Sequence, residues 1–123
     1  MFENNFIIEL LIQIKDASER IVRRTLKIKS PDEFYKNDET LAKLDAVCML
    51  LIAIGESLKK IDRISDGKLF AKYPDVDWKG LKGIRDVISH QYFDLDAEAV
   101  FNTSKKDIPQ LIETLRQLIK EYK

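Results

Sequence analysis

Arg85, Asp86, His90 and Tyr92 bring an arginine, a carboxylate, the chain's only histidine and a phenol into one short stretch. A guanidinium that stabilises charge on a phosphate and an imidazole that moves protons are together enough to cut RNA without a metal. At about 100° per residue, Asp86 and His90 are i and i+4 neighbours on one helix face, and Arg85 and Tyr92, seven apart, nearly align if the helix reaches that far. Asp86 would then accept a hydrogen bond from one imidazole nitrogen, fixing the tautomer and leaving the other nitrogen for substrate. Arg85 offers a planar fork suited to phosphate. On an ideal helix, however, Arg85 and His90 lie about 140° apart. They meet on one phosphate only where the helix ends or bends near Ser89, or where a second subunit completes the site. Taken singly, the same residues have plainer roles: a surface ion-pairing arginine, a helix-ending imidazole and a half-buried packing tyrosine.

The totals narrow the classes of protein that could carry such a site. At 123 residues the chain reads as a single domain, 1–123, and 45% hydrophobic residues suffice for a core. Lys and Arg number 21 and Asp and Glu 21, so no overall field draws in polyanions, and any grip on nucleic acid must be local. The single cysteine, Cys48, excludes an intramolecular disulfide and reads as a buried, inert thiol. One Cys and one His cannot build a metal site of the usual Cys/His spacing, so neither metal nor cofactor is expected. The apolar run from Ala46 to Ile54 falls far short of the roughly 20 residues that span a bilayer. Met1 to Asn5 has no basic export signal, and a cytoplasmic location is expected.

Helical periodicity supplies the frame that must hold the site. Phe6, Leu10, Ile14, Ala17 and Ile21 predict an amphipathic helix over about 5–27, ending in the basic run Arg20, Arg23, Arg24, Lys27 and Lys29. Cations near a helix C-terminus complement its dipole, which accounts for most of that run. Ser30-Pro31-Asp32-Glu33 predicts a short turn of helix with Ser30 as its cap, and Asn37 to Thr40 supplies the next start. Leu44, Cys48, Leu51, Gly55 and Leu58 form the seam of a long second helix, with Val47, Leu50, Ile52 and Ile54 on its other faces. A helix apolar nearly all round needs cover on several sides, which favours a dimer with this helix near the centre. Gly55 within it predicts a close backbone approach.

Beyond a polar segment from Asp62 to Pro74, with a short helix near Lys68 to Tyr73, Asp77 caps a third long helix predicted over about 78–90. Its stripe is Trp78, Leu81, Ile84 and Ile88. Asp96 offers a cap for a segment from Ala97. Ile108, Leu111, Ile112, Leu115, Leu118 and Ile119 mark a last helix, which Pro109 either begins or kinks. No stretch alternates as a strand would. The fold class read from the sequence is all-α, an up-and-down bundle of four to five helices, homodimeric.

Arg-x-x-x-x-His-x-Tyr, standing here as Arg85, His90 and Tyr92, resembles the signature of HEPN-domain proteins, specifically the HepT-like toxins paired with minimal nucleotidyltransferases. Leu51 to Glu56 is similar to the family's second helix, and Tyr73-Pro74-Asp75-Val76-Asp77-Trp78 to its entry into the motif helix. His90 to Phe93, Leu95-Asp96 and Lys106 to Pro109 continue the order. The resemblance covers about residues 30–120. Asp86 stands where many relatives have Asn, and Asp94 where they often have Gly.

The resemblance implies a dimer whose two copies of Arg85 and His90 line a shared cleft, a ribonuclease activity without metal, and a partner antitoxin that attaches AMP to Tyr92. The leading expectation is therefore a metal-independent endoribonuclease, the toxin of a toxin–antitoxin pair, with Arg85 and His90 catalytic, Asp86 supporting and Tyr92 the modified residue. The alternative is a non-catalytic subunit that binds nucleotide or presents substrate to a separately encoded nucleotidyltransferase. It suits a neutral chain in which Lys79, Lys82 and Arg85 form only a modest patch.

Overall fold

The structure, a computed structural model, describes residues 2–90 and 96–122, including side chains at all of these but residues 2, 3, 89 and 90. Its secondary structure is helical throughout: α1 (Phe2–Thr25), a 3-10 turn (Pro31–Tyr35), α2 (Asp38–Ile64), α3 (Lys68–Ala71), α4 (Trp78–Lys82), α5 (Ile84–His90), α6 (Ala97–Asn102), a π turn (Thr103–Asp107) and α7 (Ile108–Tyr122). No strand occurs among the described residues, and no helix there is long and apolar enough to cross a membrane.

The long helices α1, α2 and α7 make the frame, with α1 packed on both of the others. The buried face of α1 differs from the expected stripe. Ile7, Leu10, Leu11, Ile14, Ile21 and the following Ile28 are buried together with Ser18 and Thr25, while Phe6 is 41% exposed beneath the Lys60 ammonium. Two hydroxyls are tolerated there because each returns to its own helix: Ser18 Oγ donates to the Ile14 carbonyl at 2.7 Å and Thr25 Oγ1 to that of Ile21 at 2.9 Å. An apolar-only reading of the helix misses such positions and slides the stripe toward Phe6.

The turn after α1 is built differently from its sequence signature. Ser30 makes no side-chain cap bond; Glu33 instead reaches back to accept from the Lys29 N–H at 2.7 Å, and the fully buried Phe34 pins the turn. Asn37 then caps α2 through a reciprocal pair, accepting from the Thr40 N–H at 2.9 Å while Thr40 Oγ1 accepts from the Asn37 N–H at 3.0 Å. Along α2 the predicted seam is buried, with Val47, Ile54 and Ile61 added to it. Met49 on α2 is 74% exposed.

The single motif helix expected over 78–90 is two helices. Asp77 caps α4 by accepting from the Gly80 N–H at 3.0 Å, as its position predicts, but the helix stops at Gly83, whose ψ of 0° breaks the α-helical path. The chain restarts as α5 at Ile84. Gly55 explains how closely this pair lies on α2: a Cβ there would stand 2.7 Å from the Leu81 carbonyl oxygen and 3.4 Å from Ile84. The close approach predicted for Gly55 is present.

Asp96 caps α6 by accepting from the Ala99 N–H at 3.1 Å. From there the backbone stays helical through the π turn into α7, so Pro109 sits in a longer helical run instead of beginning a separate one. A proline lacks the N–H and crowds the carbonyl four residues back. The widened turn falls where that misfit must be absorbed.

Candidate active site

Arg85 opens the second position of α5, flanked by the buried Ile84 and Ile88 that seat the helix against α2. That anchoring leaves the arginine at the edge of the α2–α5 contact, with its side chain 53% exposed. Its Nη1 donates to Glu56 Oε1 at 3.3 Å, and the other oxygen of the same carboxylate accepts from Lys59 Nζ at 3.0 Å. The Lys59 hydrogen bond, followed by the charges of Lys59 and Arg85, holds the Glu56 carboxyl below its ordinary value against the opposing pull of desolvation. A single turn of α2 therefore presents Gly55 inward for packing and Glu56 outward toward the arginine.

One turn before Arg85, Lys82 Nζ bonds Asp62 Oδ2 at 2.7 Å. Lys59, Asp62, Arg63, Asp66, Gly67 and Lys82 line a groove of about 550 Å³ beside the arginine. Asp66 and Gly67 shape its far wall by taking left-handed backbone angles, φ 54° and 73°. Both signs of charge alternate along the groove, where Lys59 and Lys82 are already held by carboxylates and Arg63 has no ion-pair partner among the described residues.

The predicted site residues divide as follows. Arg85 is exposed and ion-paired with Glu56. Asp86 is exposed, with no ion-pair partner among the described residues. The backbone of His90 ends α5 as described, but its imidazole lies outside the described side chains, and with it the expected Asp86 bond. Tyr92 lies outside the described residues. The helix does end beside Ser89, since α5 closes at His90, while the break at Gly83 lies ahead of Arg85 and leaves Arg85 and His90 on one helical run. Trp78 is structural: it stacks on Phe70 with centroids 4.0 Å apart, and its indole N–H donates to the Tyr73 carbonyl at 2.8 Å.

Glu56 is the partner of Arg85 that residue-by-residue reading missed. Its i, i+3 relation to Lys59 is visible in the sequence, whereas its pairing with Arg85 spans 29 positions and depends on the α2–α5 packing. Among the described residues no three His, Cys, Asp or Glu side chains stand together as a metal site.

Residues 7–118, from α1 through most of α7, match the family described as ribonuclease HepT-like. The chain belongs to that family. Among its relatives in Methanocaldococcus jannaschii, the protein named "Putative RNase MJ0125" is 38% identical over 76 residues, 62% of each chain. "Putative RNase MJ0127" of the same organism is 29% identical over 116 residues, 94% of this chain and 86% of the relative. "Probable ribonuclease HepT" of Thermococcus cleftensis is 36% identical over 66 residues, 54% of this chain and 56% of the relative. The matched stretch thus spans about three fifths of the first of these relatives. No solved structure matches the chain at a significant level. Membership in the HepT-like family agrees with the resemblance carried by Arg85, His90 and Tyr92, and the all-helical architecture agrees with the expected fold class.

Proposed function

We propose that this chain is a metal-independent endoribonuclease that acts as the toxin of a toxin–antitoxin pair. The observation that carries the reading is the placement of Arg85 in a HepT-like chain: exposed beside a groove and held by a carboxylate it shares with Lys59. In the proposed reaction the ribose 2′-oxygen attacks the adjacent phosphorus and the 5′-oxygen of the next nucleotide leaves. His90 acts as general base on the 2′-hydroxyl or as general acid on the leaving oxygen, and Arg85 neutralises charge building on the phosphate. Asp86 supports His90 by orienting it.

Because Arg85 and His90 ride on one helix about 140° apart, the reading requires two copies of the chain to bring the guanidinium of one near the imidazole of the other. Met49, 74% exposed, and Val87, 41% exposed, supply apolar surface on α2 and α5 that a second copy would cover. A minimal nucleotidyltransferase is the proposed antitoxin, attaching AMP to Tyr92. The added phosphate would stand two residues from His90 and compete with RNA for Arg85.

The deciding experiment measures RNA cleavage by purified protein with a chelator present, comparing wild type, Arg85→Gln, His90→Ala and Tyr92→Phe. Wild type and Tyr92→Phe should cut, and the other two should not, with unchanged circular dichroism. Wild type that cuts no better than His90→Ala overturns the reading. Nucleotide binding without cleavage would point to an accessory subunit.

A further inference from the structure

Away from α5, the end of α1 and the beginning of α2 enclose a second cleft. Arg20, Arg23 and Arg24 of α1 and Lys43 of α2 line about 350 Å³ of concave surface. The three arginines fall within roughly 100° on α1, so one helix face carries them all. None of the four cations takes part in an ion pair among the described residues, in a chain whose basic and acidic residues are equal in number.

The helix dipole accounts for part of this cluster. Arg23 and Arg24 occupy the last turn of α1, where cations are favourable. Lys43 has no such reason, since it stands near the N-terminal, positive end of α2, and Asp38 and Glu39 already compensate that first turn. Four cations gathered without partners repel one another unless an anion joins them. A concave, purely basic lining differs from the groove near Arg85, where Asp62 and Asp66 stand among the cations and Lys59 and Lys82 are ion-paired.

We propose that this cleft is a secondary RNA-binding site that grips the phosphate backbone at a distance from the cutting site, an inference that rests on the ribonuclease reading above. Lys43 and Glu56 are thirteen residues apart on α2, about 20 Å along its axis and about 140° around it. An RNA touching both sites needs more than about six stacked nucleotides at about 3.4 Å each. The cleft therefore serves longer RNA and leaves the smallest substrates unaffected.

The test uses the full chain with Arg20→Gln, Arg24→Gln and Lys43→Gln combined, after thermal unfolding shows that the variant is folded. Binding to a twelve-nucleotide 2′-O-methyl RNA, which has no free 2′-hydroxyl to attack, is titrated across salt. Three lost phosphate contacts at about 0.7 each lower the log–log salt slope by about 2, and affinity at 0.1 M salt falls roughly 100-fold if the plots meet near 1 M. With cleavable RNA, KM for a twelve-mer rises while turnover of a dinucleotide stays the same. An unchanged slope and affinity overturn the proposal, as does unchanged RNA binding with loss of an acidic protein partner. A wild type that binds through the cleft without cutting would refute the ribonuclease reading alone.

Discussion

Replacing Gly55 with alanine sets two effects of known sign against each other. Alanine favours the helix interior by about 1 kcal/mol over glycine. Its Cβ, however, would stand 2.7 Å from the Leu81 carbonyl oxygen, a backbone atom with no rotamer to escape into, so α4 must move by about 0.7 Å to restore ordinary contact. Overpacking of this kind costs about 1–3 kcal/mol. The net expectation is a loss of about 1 kcal/mol, or roughly 4 °C in Tm for a chain of this size. Because α5 follows α4 directly across Gly83, the displacement should carry Arg85 away from Glu56 and lower RNA cleavage by more than the stability loss explains. Chemical denaturation and a cleavage assay at a temperature where both proteins are folded measure the two effects. A Gly55→Ala protein more stable than wild type and equally active would refute the view that the α2–α4 approach positions the site.

Other consequences are equally direct. Glu56 is held below its ordinary carboxylate range when folded, so its contribution to stability is present above its unfolded pKa and is lost as pH falls through the lower folded value; urea midpoints of wild type and Glu56→Gln should differ at neutral pH and converge in acid. Burial, with the charge of Asp45 adding to it, pushes the Cys48 thiol up to about 11, so a thiol reagent at pH 8 should modify it only slowly until denaturant is added; immediate labelling of native protein would contradict that burial. Ser104 Oγ is buried with no hydrogen-bond partner among the described residues, and Ser104→Ala should raise stability by about 1 kcal/mol, read as a higher unfolding midpoint.

Most local signals in the sequence were legible, the Ser30 cap being an exception. Asn37, Asp77 and Asp96 each cap the helix that follows them, and Gly55 marks a contact that excludes a side chain. The split of the motif helix was not legible: a lone glycine within an amphipathic pattern is usually tolerated, and only the packing of Leu81 and Ile84 against α2 makes Gly83 a break. Ser18 and Thr25 were hidden for a related reason, since a hydroxyl that bonds its own helix looks polar in sequence and apolar in the core. At the candidate site, Arg85 was singled out by type and spacing. Its partner Glu56 belongs to another helix, and no periodicity connects them.

If Arg85 contacts the RNA phosphate as proposed, the carboxylate it shares with Lys59 bears on how it would do so. Were Glu56 held by the arginine alone, departure of the guanidinium would strand an anion beside an arriving one and repel it. With Lys59 on its second oxygen, Glu56 keeps a counter-charge throughout. In the proposed reaction, partner exchange at this surface would trade one exposed ion pair for a contact with substrate without leaving Glu56 bare.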